Sequence, residues 1–234
     1  YLPASDWQRI VREKGPSVGR VQIKRGETVL SSGSCFIVDR EGTVISNAHV
    51  ITPLLRTRDG YIVLSFPQGP EPAKEYRAEL RDYDEVLDVA ILTSDVRVNN
   101  PCELAKGGLP SLMSEVLVMG YPLGMSFKAT PGFVQAIQDM QGTGNMIDLS
   151  ASVDPGNSGG PVFNKEGRVI GIVTAKIFGA NFNLAIPSDN AIQFLAFEGK
   201  AAPVNIISEP AGAHLFVNRV YKGTLPIEVP LYNR

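Results

Sequence analysis

The fold is decided by the stretch Cys35-Phe36-Ile37-Val38-Asp39-Arg40-Glu41-Gly42-Thr43-Val44-Ile45-Ser46-Asn47-Ala48-His49-Val50. Two apolar, β-branched runs flank the polar tetrapeptide Asp39-Arg40-Glu41-Gly42, which is a hairpin signature. The same period of two begins upstream at Val18, Val21 and Ile23. Downstream, further short strands are predicted at Tyr61–Phe66, Tyr76–Leu80, Val89–Leu92, Val116–Met119, Phe133–Gln138, Met146–Leu149, Pro161–Phe163, Val169–Thr174 and Asn183–Ala185. Turn residues separate nearly all of them, in keeping with 23 Gly and 17 Pro in 234 residues. About a dozen short strands with almost no helix between them read as an antiparallel barrel or sandwich.

The ends differ. Ser5 stands before Trp7, Ile10 and Val11 at helical spacing, so a short amphipathic helix is predicted over 5–11. A second capped helix is predicted from Pro187-Ser188-Asp189 through Ile192, Leu195 and Ala196 to Gly199. Ala201-Ala202-Pro203 reads as a linker, followed by strands at Val204–Ile207, Leu215–Val217 and Ile227–Val229. The expected division is an N-terminal helical segment over 1–16, a main β domain over 17–199, and a linker with a partial β module over 200–234.

Composition narrows the chemistry. With 22 Lys+Arg against 24 Asp+Glu, the chain lacks the basic footprint of a nucleic-acid binder. Apolar residues at 44% and charged residues at 20% are those of an ordinary globular protein. Cys35 and Cys102 have no CxxC spacing and no His cluster beside them, so neither a metal site nor a cofactor is expected. The two thiols are either buried and free or joined as one disulfide. No apolar run approaches the ~18–20 residues of a membrane-spanning helix. Only two histidines, His49 and His214, are available to a His-dependent enzyme.

Asp154-Pro155-Gly156-Asn157-Ser158-Gly159-Gly160-Pro161 is the strongest local motif. A serine nucleophile has to sit on a tight turn that exposes Oγ and aims backbone N–H groups at a developing oxyanion, and flanking glycines permit that turn. His49 follows an apolar hairpin strand. Asp88, in Leu87-Asp88-Val89-Ala90-Ile91-Leu92, is a carboxylate placed in an apolar strand, costly to bury without a partner. Asp82 and Asp84 precede that strand and are weaker candidates. The order His49, Asp88, Ser158 is one in which acyl-transfer triads are built on β-barrels. Taken singly, each has a plainer explanation: a structural histidine, a strand-end cap, a Gly-rich loop.

Gly33-Ser34-Cys35-Phe36-Ile37-Val38, Ser46-Asn47-Ala48-His49-Val50, Leu87-Asp88-Val89-Ala90-Ile91-Leu92, Gly120-Tyr121-Pro122-Leu123-Gly124, Gly156-Asn157-Ser158-Gly159-Gly160-Pro161 and Ala185-Ile186-Pro187-Ser188 resemble, in the family's order, the HtrA/Deg branch of the trypsin-like serine proteases. The resemblance implies an all-β fold of two six-stranded antiparallel barrels, short terminal helices and a small C-terminal β appendage, with the site in the cleft between the barrels. It implies catalysis by His49, Asp88 and Ser158, an oxyanion hole from the N–H groups of Gly156 and Ser158, and a primary pocket lined by Ser152, Val173, Thr174 and Ala175. Ser152 stands where a trypsin carries Asp, which argues against Lys or Arg at the cleaved position and for a small or medium aliphatic residue; Thr174 and Lys176 leave an acidic preference open. Cys35 departs from the usual Gly. It implies polypeptide substrates, and trimers formed through an N-terminal segment such as Tyr1–Val11.

Ser208-Glu209-Pro210-Ala211-Gly212-Ala213-His214-Leu215-Phe216-Val217-Asn218 and Lys222-Gly223-Thr224-Leu225-Pro226 resemble the opening of a PEGA domain, a β module of bacterial envelope proteins. That resemblance implies an extracytoplasmic location in a bacterial envelope and an envelope partner for the tail; the chain opens at Tyr1 with no Met, so an anchor upstream is an expectation, and the protease resemblance implies a role in protein quality control or regulated proteolysis. Two rival functions remain open at this point: a catalytically silent protease-fold sensor or scaffold, and an envelope structural protein acting through its tail.

Overall fold

The computed structural model describes residues 6–68, 71–124, 126–140, 144–174 and 183–197, and the backbone of strands at 201–206, 214–217, 220–224 and 227–232. The chain divides into two compact units, Tyr1–Ile192 and Gln193–Arg234. In the first, helix α1 (Asp6–Lys14) precedes twelve strands: β1 (Val18–Arg25), β2 (Thr28–Ile37), β3 (Thr43–Ser46), β4 (Tyr61–Gln68), β5 (Glu71–Asp84), β6 (Val89–Ser94), β7 (Glu115–Gly120), β8 (Lys128–Met140), β9 (Gly144–Leu149), β10 (Pro161–Phe163), β11 (Val169–Thr174) and β12 (Leu184–Pro187). Helix α2 (Ala48–Ile51) follows β3, and α3 (Ser188–Phe197) follows β12 and runs across the boundary of the units.

The twelve strands close into two antiparallel barrels, ordered β1-β2-β3-β6-β5-β4 and β10-β11-β12-β9-β8-β7. Closure removes every sheet edge. Val21, Ile23, Cys35, Ile37, Val44, Ile62, Leu64 and Leu92 fill the first barrel, and Val116, Val118, Val134, Ile147, Leu149, Val162, Val173 and Ala185 fill the second. Strand alternation turns Phe36, Ile45 and Ile91 out of the first barrel and Phe163 out of the second, yet all four are fully buried. Main-chain bonds join the barrels along this side: Ser34 N–H donates to Ser158 O at 2.8 Å and Cys102 N–H to Ile37 O at 2.8 Å, while Val169 N–H donates to Glu103 O at 2.8 Å.

The β2–β3 hairpin is tied by Asp39, whose Oδ1 accepts from the backbone N–H of Glu41 at 3.0 Å, Gly42 at 2.9 Å and Thr43 at 2.9 Å. Partial burial raises the Asp39 carboxyl, but the bonds from Thr43, Glu41 and Gly42 outweigh it and hold the group below its ordinary value. A depressed folded-state value means that the stabilisation is complete above the unfolded carboxylate value, about 3.9, and disappears as pH falls through the folded one. Asp39→Ala is therefore expected to cost about 1 kcal/mol at neutral pH. Thermal melts of variant and wild type should converge at about pH 2.

Some strands differ from the sequence reading. β5 is much longer than Tyr76–Leu80: Glu75, Arg77, Glu79 and Arg81 face solvent, and past Leu80 the inward-facing positions are the acidic Asp82 and Asp84, which carry no apolar signal. Lys74 caps the Tyr76 ring at 5.0 Å and Arg77 the Tyr61 ring at 3.4 Å, so long cationic side chains cover aromatic surface there. Ala201-Ala202-Pro203 is not a linker. It opens strand β13 (Ala201–Ile206), paired antiparallel with β16 (Ile227–Tyr232), with Pro203 opposite Pro230. A two-stranded sheet has only edges, and edges tolerate proline. The hairpin of β14 (His214–Val217) and β15 (Val220–Thr224) completes the second unit, and β15 was not predicted.

Cys35 and Cys102 are free and fully buried. Burial pushes the Cys102 thiol up to about 12, Lys14 opposing it, and burial also raises the Cys35 thiol, opposed by a Gly19 hydrogen bond. Neither is a thiolate nucleophile at neutral pH.

Candidate active site

His49 sits in α2, one turn past the end of β3, and its side chain keeps 29% of its exposure. Asp88 lies in the turn before β6 and not within the strand, where the sequence reading had placed it. Its φ of 56° is left-handed, a region Asp enters more readily than most residues. The turn swings the carboxylate under the imidazole. His49 Nδ1 lies 2.8 Å from Asp88 Oδ2 and 3.0 Å from Oδ1, and the backbone N–H of His49 donates to Oδ1 at 3.0 Å.

Thr174 and Asn47 also hold Asp88. Thr174 Oγ1 donates to Oδ2 at 2.8 Å, and Asn47 Nδ2 donates to the Asp88 backbone O at 2.9 Å. A carboxylate only accepts, so Nδ1 of His49 carries the proton and Nε2 presents a lone pair. Asp84 Oδ1 accepts from Val86 and Leu87 N–H and closes its own turn, while Asp82 Oδ1 accepts from Tyr83 N–H.

Ser158 belongs to the loop between β9 and β10 and is 5% exposed. Gly156 and Gly159 have φ of 99° and 86°. A Cβ on Gly156 would stand 2.6 Å from Tyr121 O, and one on Gly159 would lie 2.2 Å from Ser34 O, so the loop packs backbone on backbone and admits no side chain at either place. Gly159 N–H donates to Val173 O at 2.9 Å and Val173 N–H to Gly160 O at 2.8 Å, which fastens the loop to β11.

The residues expected in a primary pocket fall in different places. Ser152 is exposed. Val173 is wholly buried in the second barrel and serves the serine loop through its backbone. Thr174 is engaged by Asp88, and Ala175 and Lys176 lie outside the described residues. Asn47, and Thr174 as a partner of Asp88, were not foreseen. Asn47 could have been suspected from its position two residues before His49; the Thr174 contact spans 86 residues and leaves no local trace.

The family model for the trypsin-like peptidase domain matches residues 33–172, a span holding His49, Asp88 and Ser158. The chain belongs to the trypsin-like peptidase family. Among members, this trypsin-like peptidase is 31% identical over 204 residues to serine protease HTRA1B of Danio rerio, which covers 80% of this chain and 40% of that protein. It is 31% identical over 202 residues to the mitochondrial serine protease HTRA2 of Bos taurus, covering 80% and 42%. The chain thus spans about two fifths of the length of these curated relatives. The serine endoprotease from Yersinia pestis superposes with a TM-score of 0.69 at 26% identity, over 84% of this chain and 67% of the other. Deg5 has the same fold, with a TM-score of 0.69 at 24% identity over 79% and 90%. These matches place the peptidase on the HtrA/Deg side of the family.

Proposed function

We propose that this trypsin-like peptidase is a serine endopeptidase acting through His49, Asp88 and Ser158. The observation that carries the reading is the His49–Asp88 pair, with both carboxylate oxygens committed and Nε2 left as the base. Ser158 Oγ attacks the peptide carbonyl carbon as Nε2 takes its proton. The carbonyl oxygen becomes an oxyanion held by Gly156 and Ser158 N–H. Nε2–H then protonates the leaving amine, and water repeats the sequence on the acyl-enzyme. Asp88 stays ionised and stabilises the imidazolium.

The substrates are polypeptides, unfolded or envelope proteins, cleaved after a small or medium aliphatic residue. Ser152 supports this by offering no charge to a Lys or Arg side chain. Incubation with a peptide library checks both points: cleavage after Ala, Val or Leu, abolished when a fluorophosphonate forms an adduct on Ser158, is the expected result. Dominant cleavage after Glu overturns the preference, and cleavage that survives the adduct overturns the serine mechanism. Absence of turnover with unfolded substrate would favour a silent sensor or scaffold.

The tail resemblance supports a PEGA-like module facing a bacterial envelope partner, and the HtrA/Deg membership supports an extracytoplasmic, oligomeric enzyme. Cell fractionation and sedimentation test these; a cytoplasmic monomer is the overturning outcome.

A further inference from the structure

Each carbonyl of the stretch Pro155-Gly156-Asn157-Ser158 is taken by a donor. Pro155 O accepts from Leu123 N–H at 2.6 Å, Asn157 O from Gly160 N–H at 2.8 Å, and Ser158 O from Ser34 N–H at 2.8 Å. Gly156 O accepts from Ser34 Oγ at 2.7 Å. In a trans peptide the N–H points opposite to the C=O, so fixing these oxygens fixes the amides of the same planes. The Pro155 plane carries the Gly156 N–H and the Asn157 plane carries the Ser158 N–H, the two donors assigned to the oxyanion.

Three of the four holders are backbone amides and are insensitive to side-chain identity. The fourth is the Ser34 hydroxyl. Its oxygen also accepts from Tyr121 N–H at 2.9 Å, and this ties the serine loop to the 121–124 turn whose Leu123, at φ 54°, supplies the clamp on Pro155. Ser34 is wholly buried. A Cβ on Gly120 would come within 2.8 Å of Ser34 Oγ, and one on Gly160 within 3.3 Å of its Cβ, so Gly120 and Gly160 leave just the room this side chain occupies. Its carbonyl accepts from Ser46 Oγ at 2.8 Å, on the strand that leads to His49.

We propose that Ser34 is a positioning residue for the oxyanion hole: its hydroxyl fixes the Gly156–Asn157 peptide, which lies between the two donor planes, and the 121–124 turn that clamps the Pro155 plane, and so aims Gly156 N–H at the reacting carbonyl. This rests on the serine endopeptidase reading and extends it to a residue far from the motif in sequence. Ser34→Ala deletes the hydroxyl and leaves Gly156 O and Tyr121 N–H unpaired in a dry site, where the loop turns to satisfy them.

The test uses the full chain and a cleavable peptide. Ser34→Ala is expected to lower kcat about 10²–10³-fold, comparable with losing one oxyanion donor, with KM within about threefold. Affinity for a peptidyl boronate, a tetrahedral mimic, should fall by the same factor as kcat/KM, while the NMR resonance of the His49 Nδ1 proton stays in place. Ser17→Ala is the matched control: Ser17 is equally buried, outside the site, and its Oγ donates to Asn100 O at 2.7 Å, so this variant should keep wild-type kcat. Ser34→Cys, which keeps a weak donor, should recover part of the loss and carries the same test if Ser34→Ala does not fold. Wild-type turnover that depends on Ser158, together with an undiminished Ser34→Ala, would sink the Ser34 role and leave the mechanism intact. Equal losses in kcat and in the His49 resonance would assign Ser34 to general structure. Failure of the wild type to turn over at all is failure of the underlying reading.

Discussion

Ser158→Ala is expected to lower kcat on a peptide substrate by about 10⁶-fold, leaving a residual rate of about 10³–10⁴ over water from the remaining site. The change removes one oxygen. The loop around this residue is held by main-chain bonds, from Ser34 to its carbonyl and from Gly159 to Val173, and by the Ser34 hydroxyl on Gly156 O, and none of these bonds uses the Ser158 hydroxyl. Thermal unfolding should therefore move by no more than about 2–4 °C, the shift for roughly 1 kcal/mol at this size. Single-turnover kinetics on the variant and on the wild type are the measurement. A decrease of less than tenfold would put the nucleophile elsewhere.

Asp88→Asn should cost about 10⁴ in kcat. The environment of the carboxylate decides how the amide sits. His49 N–H donates to the Oδ1 position, so the amide oxygen goes there and the NH₂ takes the Oδ2 position. That NH₂ then faces Nδ1 at the 2.8 Å distance now spanned by Nδ1–H and the carboxylate. Two donors cannot share that line, so the imidazole changes tautomer, Nε2 becomes protonated, and Ser158 loses its base. Steady-state kinetics together with the position of the imidazole proton by NMR read this directly. A variant within tenfold of wild type would show that Asp88 merely supports the turn.

Much of the architecture was legible because it is local. The hairpin around Asp39, the apolar alternation of β1–β3 and β6, and the small-residue loop at Ser158 declare themselves within a few residues. β5 was legible only in part, since its inner face is apolar at Tyr76, Ala78 and Leu80 but acidic at Asp82 and Asp84. The stretch 201–203 misled because Pro203 signals a break, whereas pairing with Pro230 accommodates it at an edge. Residue types sufficed to nominate His49, Asp88 and Ser158. The groups that hold them in place were not nominated, because contact depends on how two barrels dock: Ser34 reaches Gly156 across 122 residues and Thr174 reaches Asp88 across 86. Val173 and Thr174, which the family resemblance implies as pocket walls, lie in the second barrel's core and against Asp88 respectively.

The first barrel carries His49, Asp88 and Ser34; the second contributes Ser158 and Thr174. During synthesis from the N-terminus, the first barrel is complete at Ser94, well before the residues of the second leave the ribosome. On the mechanism proposed above, a half-made chain holds the base without the nucleophile, and a loop holder without a loop to hold. On that mechanism, proteolytic competence arrives only when the last strands close the second barrel onto the first. Dividing the proposed machinery between the barrels would then work as a safety interlock, with no complete site before the second barrel has closed.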